Sequence, residues 1–154
     1  MKKNMMVLQF IINHMHICAD IQFIDKVILL PLVEPIPGAP FFIAGQINVA
    51  GHSLPMLDLT LYLGLERKKS YSLDTPILLC KEQNHRAGII VDKLLSLDEV
   101  STTHLQMKEK FDKESSFKAS LLIKDKLTLL LNISDILQKT ASFKTMDIIE
   151  HQYD

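Results

Sequence analysis

The stretch Gln46-Ile47-Asn48-Val49-Ala50-Gly51-His52-Ser53-Leu54-Pro55-Met56-Leu57-Asp58-Leu59 decides the fold. Gln46 to Val49 alternates polar and apolar residues with period two, the pattern of a half-buried strand. Gly51-His52-Ser53 reads as a turn, and Leu54 to Leu57 as the returning strand. Asp58 then stands where an N-cap belongs, before a very short helix over Leu59 to Leu63 that Gly64 closes.

The same rhythm extends outward in both directions. Upstream, Val7 to Ile12 and Ile17 to Ile21 flank the polar break Asn13-His14-Met15-His16, and Val27 to Leu30 runs apolar up to Pro31. Downstream, Pro76 to Cys80 and Ala87 to Val91 flank a polar turn at Glu82 to Arg86. Leu121 to Ile123 and Leu127 to Leu131 flank Lys124-Asp125-Lys126. A final helix starts at Asn132 or Ser134 and turns Ile136 and Leu137 inward. About nine short strands with few helices predict a mainly all-β, antiparallel barrel or sandwich. The charged stretches Glu66 to Asp74 and Met107 to Ser116 are the candidate linkers, and the last dozen or so residues read as helix or tail.

Composition narrows the function classes. With 47% hydrophobic and 23% charged residues and a formal net charge of −1, the chain has the makings of a packed core and an ordinary solvated surface. Its densest basic run is Arg67-Lys68-Lys69, too short to track a phosphate backbone and read as a solvated loop, so nucleic acid is not an expected partner. Cys18 and Cys80 sit inside apolar runs and read as small buried hydrophobes rather than metal ligands or a disulfide framework. The apolar region Val27 to Gly51 contains Glu34 and several prolines, which argues against a spanning helix and direct membrane insertion.

Catalytic signatures are missing from the residue pattern. The five glycines, Gly38, Gly45, Gly51, Gly64 and Gly88, build neither a phosphate loop nor a dinucleotide fingerprint, and no Gly-x-Ser-x-Gly elbow occurs. His14 and His16 have strand spacing compatible with a metal, but no Cys or carboxylate partner is spaced beside them, so they read as solvated turn histidines. Asp92, Asp98 and Glu99 follow an apolar strand and read as turn acceptors. Neither catalytic residues, cofactor nor metal are expected.

The run Glu34-Pro35-Ile36-Pro37-Gly38-Ala39-Pro40-Phe41-Phe42-Ile43-Ala44-Gly45, followed by the opening stretch, resembles the CheW-like family. That family shows a proline-rich segment, an aromatic or apolar pair and Gly, then a strand, an Asn-Leu-Arg-Gly turn, and a strand ending in Pro-hydrophobic-hydrophobic-Asp-Leu. Gly88-Ile89-Ile90-Val91-Asp92 with Leu95 and Val100, and Asp125-Lys126-Leu127 through Leu131-Asn132-Ile133, resemble its later strands. The likeness runs from about Leu8 to Leu137.

The resemblance implies two intertwined SH3-like barrels of five strands each within a single CheW-like domain over 1–154, short helices and a C-terminal helix. It also implies a non-catalytic adaptor of chemotaxis signal transduction. Its expected partners are the regulatory domain of a CheA-type histidine kinase and the cytoplasmic hairpin tip of a chemoreceptor. Its expected place is the cytoplasm, at membrane-associated receptor arrays. Partner contacts are expected at Asn48, Val49, Ala50, Gly51 and His52. The family turn carries Arg where this chain has Ala50, and the late glycines are replaced by Ala119-Ser120-Leu121-Leu122. Losing a permanently charged, five-donor group weakens a contact of that kind, so an alternative expectation is a binding module of a non-chemotaxis CheA-like kinase pathway with weakened receptor coupling. A fused receiver domain of the CheV type is not expected.

Overall fold

The computed structural model describes residues 4–31, 33–106 and 115–141. Among the described residues, ten strands fall into two five-stranded sheets. The chain begins in the first sheet with β1 (Asn4–Ile12) and β2 (Met15–Asp20). It then builds the whole second sheet from β3 (Ile24–Leu29), β4 (Ile43–Val49), β5 (His52–Asp58), β6 (Pro76–Glu82) and β7 (His85–Ile90), with helix α1 (Leu59–Tyr62) between β5 and β6. It returns to the first sheet for β8 (Lys93–Ser101), β9 (Phe117–Ile123) and β10 (Lys126–Leu131), and the described residues end with α2 (Ile133–Ala141). The N-terminal hairpin therefore completes a sheet whose other three strands come after the second sheet is finished.

The two sheets follow one plan. Their orders are β8-β1-β2-β10-β9 and β3-β6-β7-β5-β4, and in each an edge strand flanks one hairpin that pairs in parallel with a second. Bulges recur at matching places: between edge strand and first hairpin (Gln9/Phe10 and Ile24/Lys26), and within the second hairpin (Leu130/Leu131 and Ile43/Gly45). A bulge bends the strand and increases its twist, which is what curls a short sheet toward closure. Closure comes from two isolated bridges. Glu34, beyond β3, exchanges backbone hydrogen bonds of 2.9 and 2.8 Å with Gln46 of β4. Gln106, beyond β8, exchanges bonds of 2.8 and 3.2 Å with Ser120 of β9. At the first bridge only glycine fits: a Cβ on Gly45 would collide with the Glu34 carbonyl and the Val33 side chain.

Three apolar clusters explain why so many strands read as continuous hydrophobic runs. Val7, Cys18, Leu121 and Leu130 fill the first barrel. Ile47, Met56, Ile77 and Ile90 fill the second. The opposite faces of the same strands meet in a shared core: Leu8, Phe10, Ile12 and Ile17 from the first sheet pack with Leu57, Leu78, Ala87 and Ile89 from the second, and α2 adds Ile133, Ile136 and Leu137. A strand buried on both faces has no polar side to alternate with.

The structure revises several boundaries. The turn between β1 and β2 is Asn13-His14, so Met15 and His16 belong to β2 rather than to the turn. β8 is a full strand of nine residues that the sequence reading left out, and Asp98 and Glu99 lie within it rather than in a turn. It was hidden because its outward positions mix Leu95 and Leu97 with Lys93 and Glu99, and its inward Asp98 receives hydrogen bonds of 2.6 Å from both Ser96 and Gln9. The readings of Met107 to Glu114 as part of a linker and of residues from 142 on as helix or tail lie outside the described residues. No helix among the described residues is long and apolar enough to cross a membrane.

Candidate partner-docking surface

Asn48, Val49, Ala50, Gly51 and His52 form the tip of the β4–β5 hairpin. Val49 pairs with His52, which leaves a two-residue loop of Ala50 and Gly51 with φ of 51° and 83°. Positive φ at both central positions is the type I′ geometry that matches strand twist, and it favours Asn or Gly over Ala. The turn is thus one residue earlier than Gly51-His52-Ser53, and His52 and Ser53 are strand residues. The Asn48 side chain accepts a 3.1 Å hydrogen bond from the Gly51 N–H, so it closes the turn. Asn48, Ala50, Gly51 and His52 are exposed, and Val49 is half-buried.

Strand pairing brings to this tip residues that nothing local in the sequence marks. A cleft of about 120 Å³ is floored by Leu54 and Leu79 and rimmed by Lys81 and Arg86, beside Ala50 and His52. Lys81 and Arg86 are directly opposed across β6 and β7, and Lys81 also pairs with Asp25 at 3.4 Å. The tip lacks a guanidinium on its own loop, yet one stands beside it on β7.

At the opposite side of the second barrel, Asp58 does two jobs. Its Oδ1 accepts from the Leu61 N–H at 3.2 Å, which caps α1, and from Arg67 Nη2 at 2.8 Å. Its Oδ2 accepts from Arg67 Nε at 2.7 Å and from the Tyr71 hydroxyl. Arg67 also reaches Asp92 at 3.4 Å and lies 4.7 Å from the Tyr71 ring centre. Burial works to raise the Asp58 pKa, but the Arg67 and Tyr71 hydrogen bonds and the Arg67 charge outweigh it and hold the carboxyl below its ordinary value. Burial and the Asp58 carboxylate push the Tyr71 hydroxyl well above the usual range. Arg67 is therefore a half-buried structural cation rather than part of a solvated basic loop. Asp92 accepts a 2.7 Å bond from the Asn13 N–H, as a turn acceptor does.

His14 is exposed in its turn and His16 is half-buried on β2. Among the described residues no three His, Cys, Asp or Glu side chains converge as a metal site. Cys18 and Cys80 are fully enclosed, and burial pushes both thiols up to about 12.

Comparison with known proteins gives the architecture a context. The CheW-like domain matches residues 6–141. The chain is similar to a chemotaxis protein CheW of Thermotoga maritima, 26% identical over 140 residues, covering 89% of this chain and 90% of that protein. Its fold is similar to the crystal structure of the scaffolding protein TtCheW from Thermoanaerobacter tengcongensis, with a TM-score of 0.76 at 21% identity over 84% of this chain and 90% of that one. With both barrels and α2 inside the matched residues, the chain belongs to the CheW-like domain family.

Proposed function

We propose that this protein is a non-catalytic adaptor that couples a CheA-type histidine kinase to chemoreceptors in the cytoplasm. The observation that carries the reading is the match of the CheW-like domain to residues 6–141, which takes in both barrels and supports treating the chain as one functional unit. The surface is suited to docking. Leu122 and Leu127 oppose each other on the outer face of β9–β10, 66% and 65% exposed, while Leu29 projects from edge strand β3 and Leu97 from edge strand β8. Each such side chain contributes roughly 1.5–3 kcal/mol when fully buried by a partner. The kinase's regulatory domain takes the barrel edges and the receptor hairpin tip takes the Asn48–His52 end. The adaptor acts by raising effective concentration and biasing a conformational equilibrium, with no bond made or broken.

Ala50 favours a second reading, a binding module of another CheA-like kinase pathway with weakened receptor coupling. A methyl group at an exposed turn offers a receptor carboxylate nothing, and Arg86 approaches from a different strand. Titration calorimetry against the regulatory domain of the cognate kinase, with a receptor hairpin fragment as second titrant, tests both. Micromolar binding to the kinase domain is expected. Receptor binding that tightens about tenfold in Ala50→Arg supports the second reading. Tight receptor binding indifferent to that change leaves the first alone, and absence of binding to either partner overturns both.

A further inference from the structure

Three segments far apart in sequence meet at one groove of about 320 Å³, and two of them bring lysines to it. Lys68 and Lys69 come from the loop after α1, Lys93 opens β8, and His14 sits in the β1–β2 turn. All four are exposed, and none of the lysines has an ion-pair partner among the described residues. Their convergence is enforced from below. The Asn13 N–H binds Asp92 at 2.7 Å, the Asp92 N–H binds the Ile11 carbonyl at 3.2 Å, and Arg67 Nη1 binds the Lys69 carbonyl at 2.8 Å. Holding like charges side by side on a rigid frame works against the isolated protein, and such local conflicts concentrate where a partner resolves them. The chain as a whole is nearly neutral, so this groove is a local positive field.

We propose that this groove docks a short acidic segment of a partner protein, with one apolar side chain over Ile11 and carboxylates on Lys68, Lys69 and Lys93. The lining selects the class of ligand. Asp92 lies in the groove and repels a compact anion centred there, whereas a peptide sets its carboxylates on the rim and an apolar side chain on the floor. The one guanidinium nearby, Arg67, is committed to Asp58 and Asp92, so no free bidentate fork exists for a phosphate. The site is separate from the Asn48–His52 tip, and the proposal stands whether or not the kinase and receptor readings hold.

The test is an amide NMR titration of the full chain with the blocked peptide Glu-Glu-Leu-Glu-Glu. Saturable shifts confined to Asn13, His14, Lys68, Lys69, Lys93 and their neighbours are expected. Affinity should fall about tenfold for the Gln-Gln-Leu-Gln-Gln and Glu-Glu-Gly-Glu-Glu peptides, and at least as much for the triple variant K68E/K69E/K93E. These lysines are exposed, so the variants are expected to keep a dispersed spectrum; the single variants K68Q and K93Q, each severalfold weaker, report if the triple does not. Shifts scattered over all lysines, equal binding by the charge variants, or the same groove shifts produced by inorganic phosphate or by phosphatidylglycerol vesicles would overturn the proposal.

Discussion

Ala50 occupies a left-handed conformation at φ 51°, followed by Gly51 at φ 83°. An L-residue with a Cβ is disfavoured there by roughly 1–2 kcal/mol, and Asn relieves part of that cost. Ala50→Asn is therefore expected to stabilise the protein by about 0.5–1 kcal/mol, seen as a higher urea midpoint at unchanged slope. Asp58 makes the opposite case. Fully buried and bonded to Arg67 and Tyr71, it leaves Arg67 with only the longer Asp92 pairing when its charge is removed, and Asp58→Asn should cost about 1.5–3 kcal/mol in chemical denaturation. Its pH signature has a definite sign. The folded carboxyl titrates below its unfolded value, so its contribution is complete above about pH 4 and disappears as pH falls through the lower folded value. The wild type should lose stability faster than Asp58→Asn over that acid range, and parallel profiles would contradict the assignment.

At the scale of elements, α2 depends on a single cap. Asn132 Oδ1 accepts from the Asp135 N–H at 3.2 Å, and its Nδ2 donates to the Ser115 carbonyl at 3.1 Å, so Asn132 rather than Ser134 is the cap. Ser134 instead donates a 2.7 Å bond to Glu82, which fastens the helix to the β6–β7 hairpin. Because α2 delivers Ile133, Ile136 and Leu137 to the shared core, its start must be held in place. Asn132→Ala is expected to cost about 1–2 kcal/mol and to lower the amide protection of α2 before that of the strands, measured by hydrogen exchange. Equal loss of protection throughout would mean that the helix has no independent opening.

The whole molecule is joined through a core that belongs to both sheets. Phe10 lies in it, fully buried, on a strand of the first barrel. Phe10→Ala should cost about 3–5 kcal/mol and reduce hydrogen-exchange protection in β6–β7 as well as in β9–β10. If β6–β7 kept its protection, the barrels would be independent units that merely touch. The adaptor reading belongs to this scale too, since partners on two barrels can be held in fixed relation only if the barrels behave as one body.

Much of this protein was legible from its residues. Short apolar runs bounded by turn residues revealed nine of the ten strands among the described residues and the Asp58 cap, because those signals are local in the chain; they left the α2 cap open between Asn132 and Ser134, and the two-barrel plan came from the resemblance to the CheW-like family. The tertiary structure decided what depends on contacts between distant segments. Edge strand β8, with mixed charges on its exposed positions, is recognisable only by its pairing with β1. Arg67 reads as one of three consecutive cations, and only folding separates it from its neighbours, drawing it onto Asp58 while leaving Lys68 and Lys69 at a groove with Lys93. Arg86 stands beside Ala50 because β5 and β7 run in parallel in the middle of the second sheet. Periodicity and capping are written in a few consecutive residues, whereas charge pairing and cleft formation follow from which strands become neighbours.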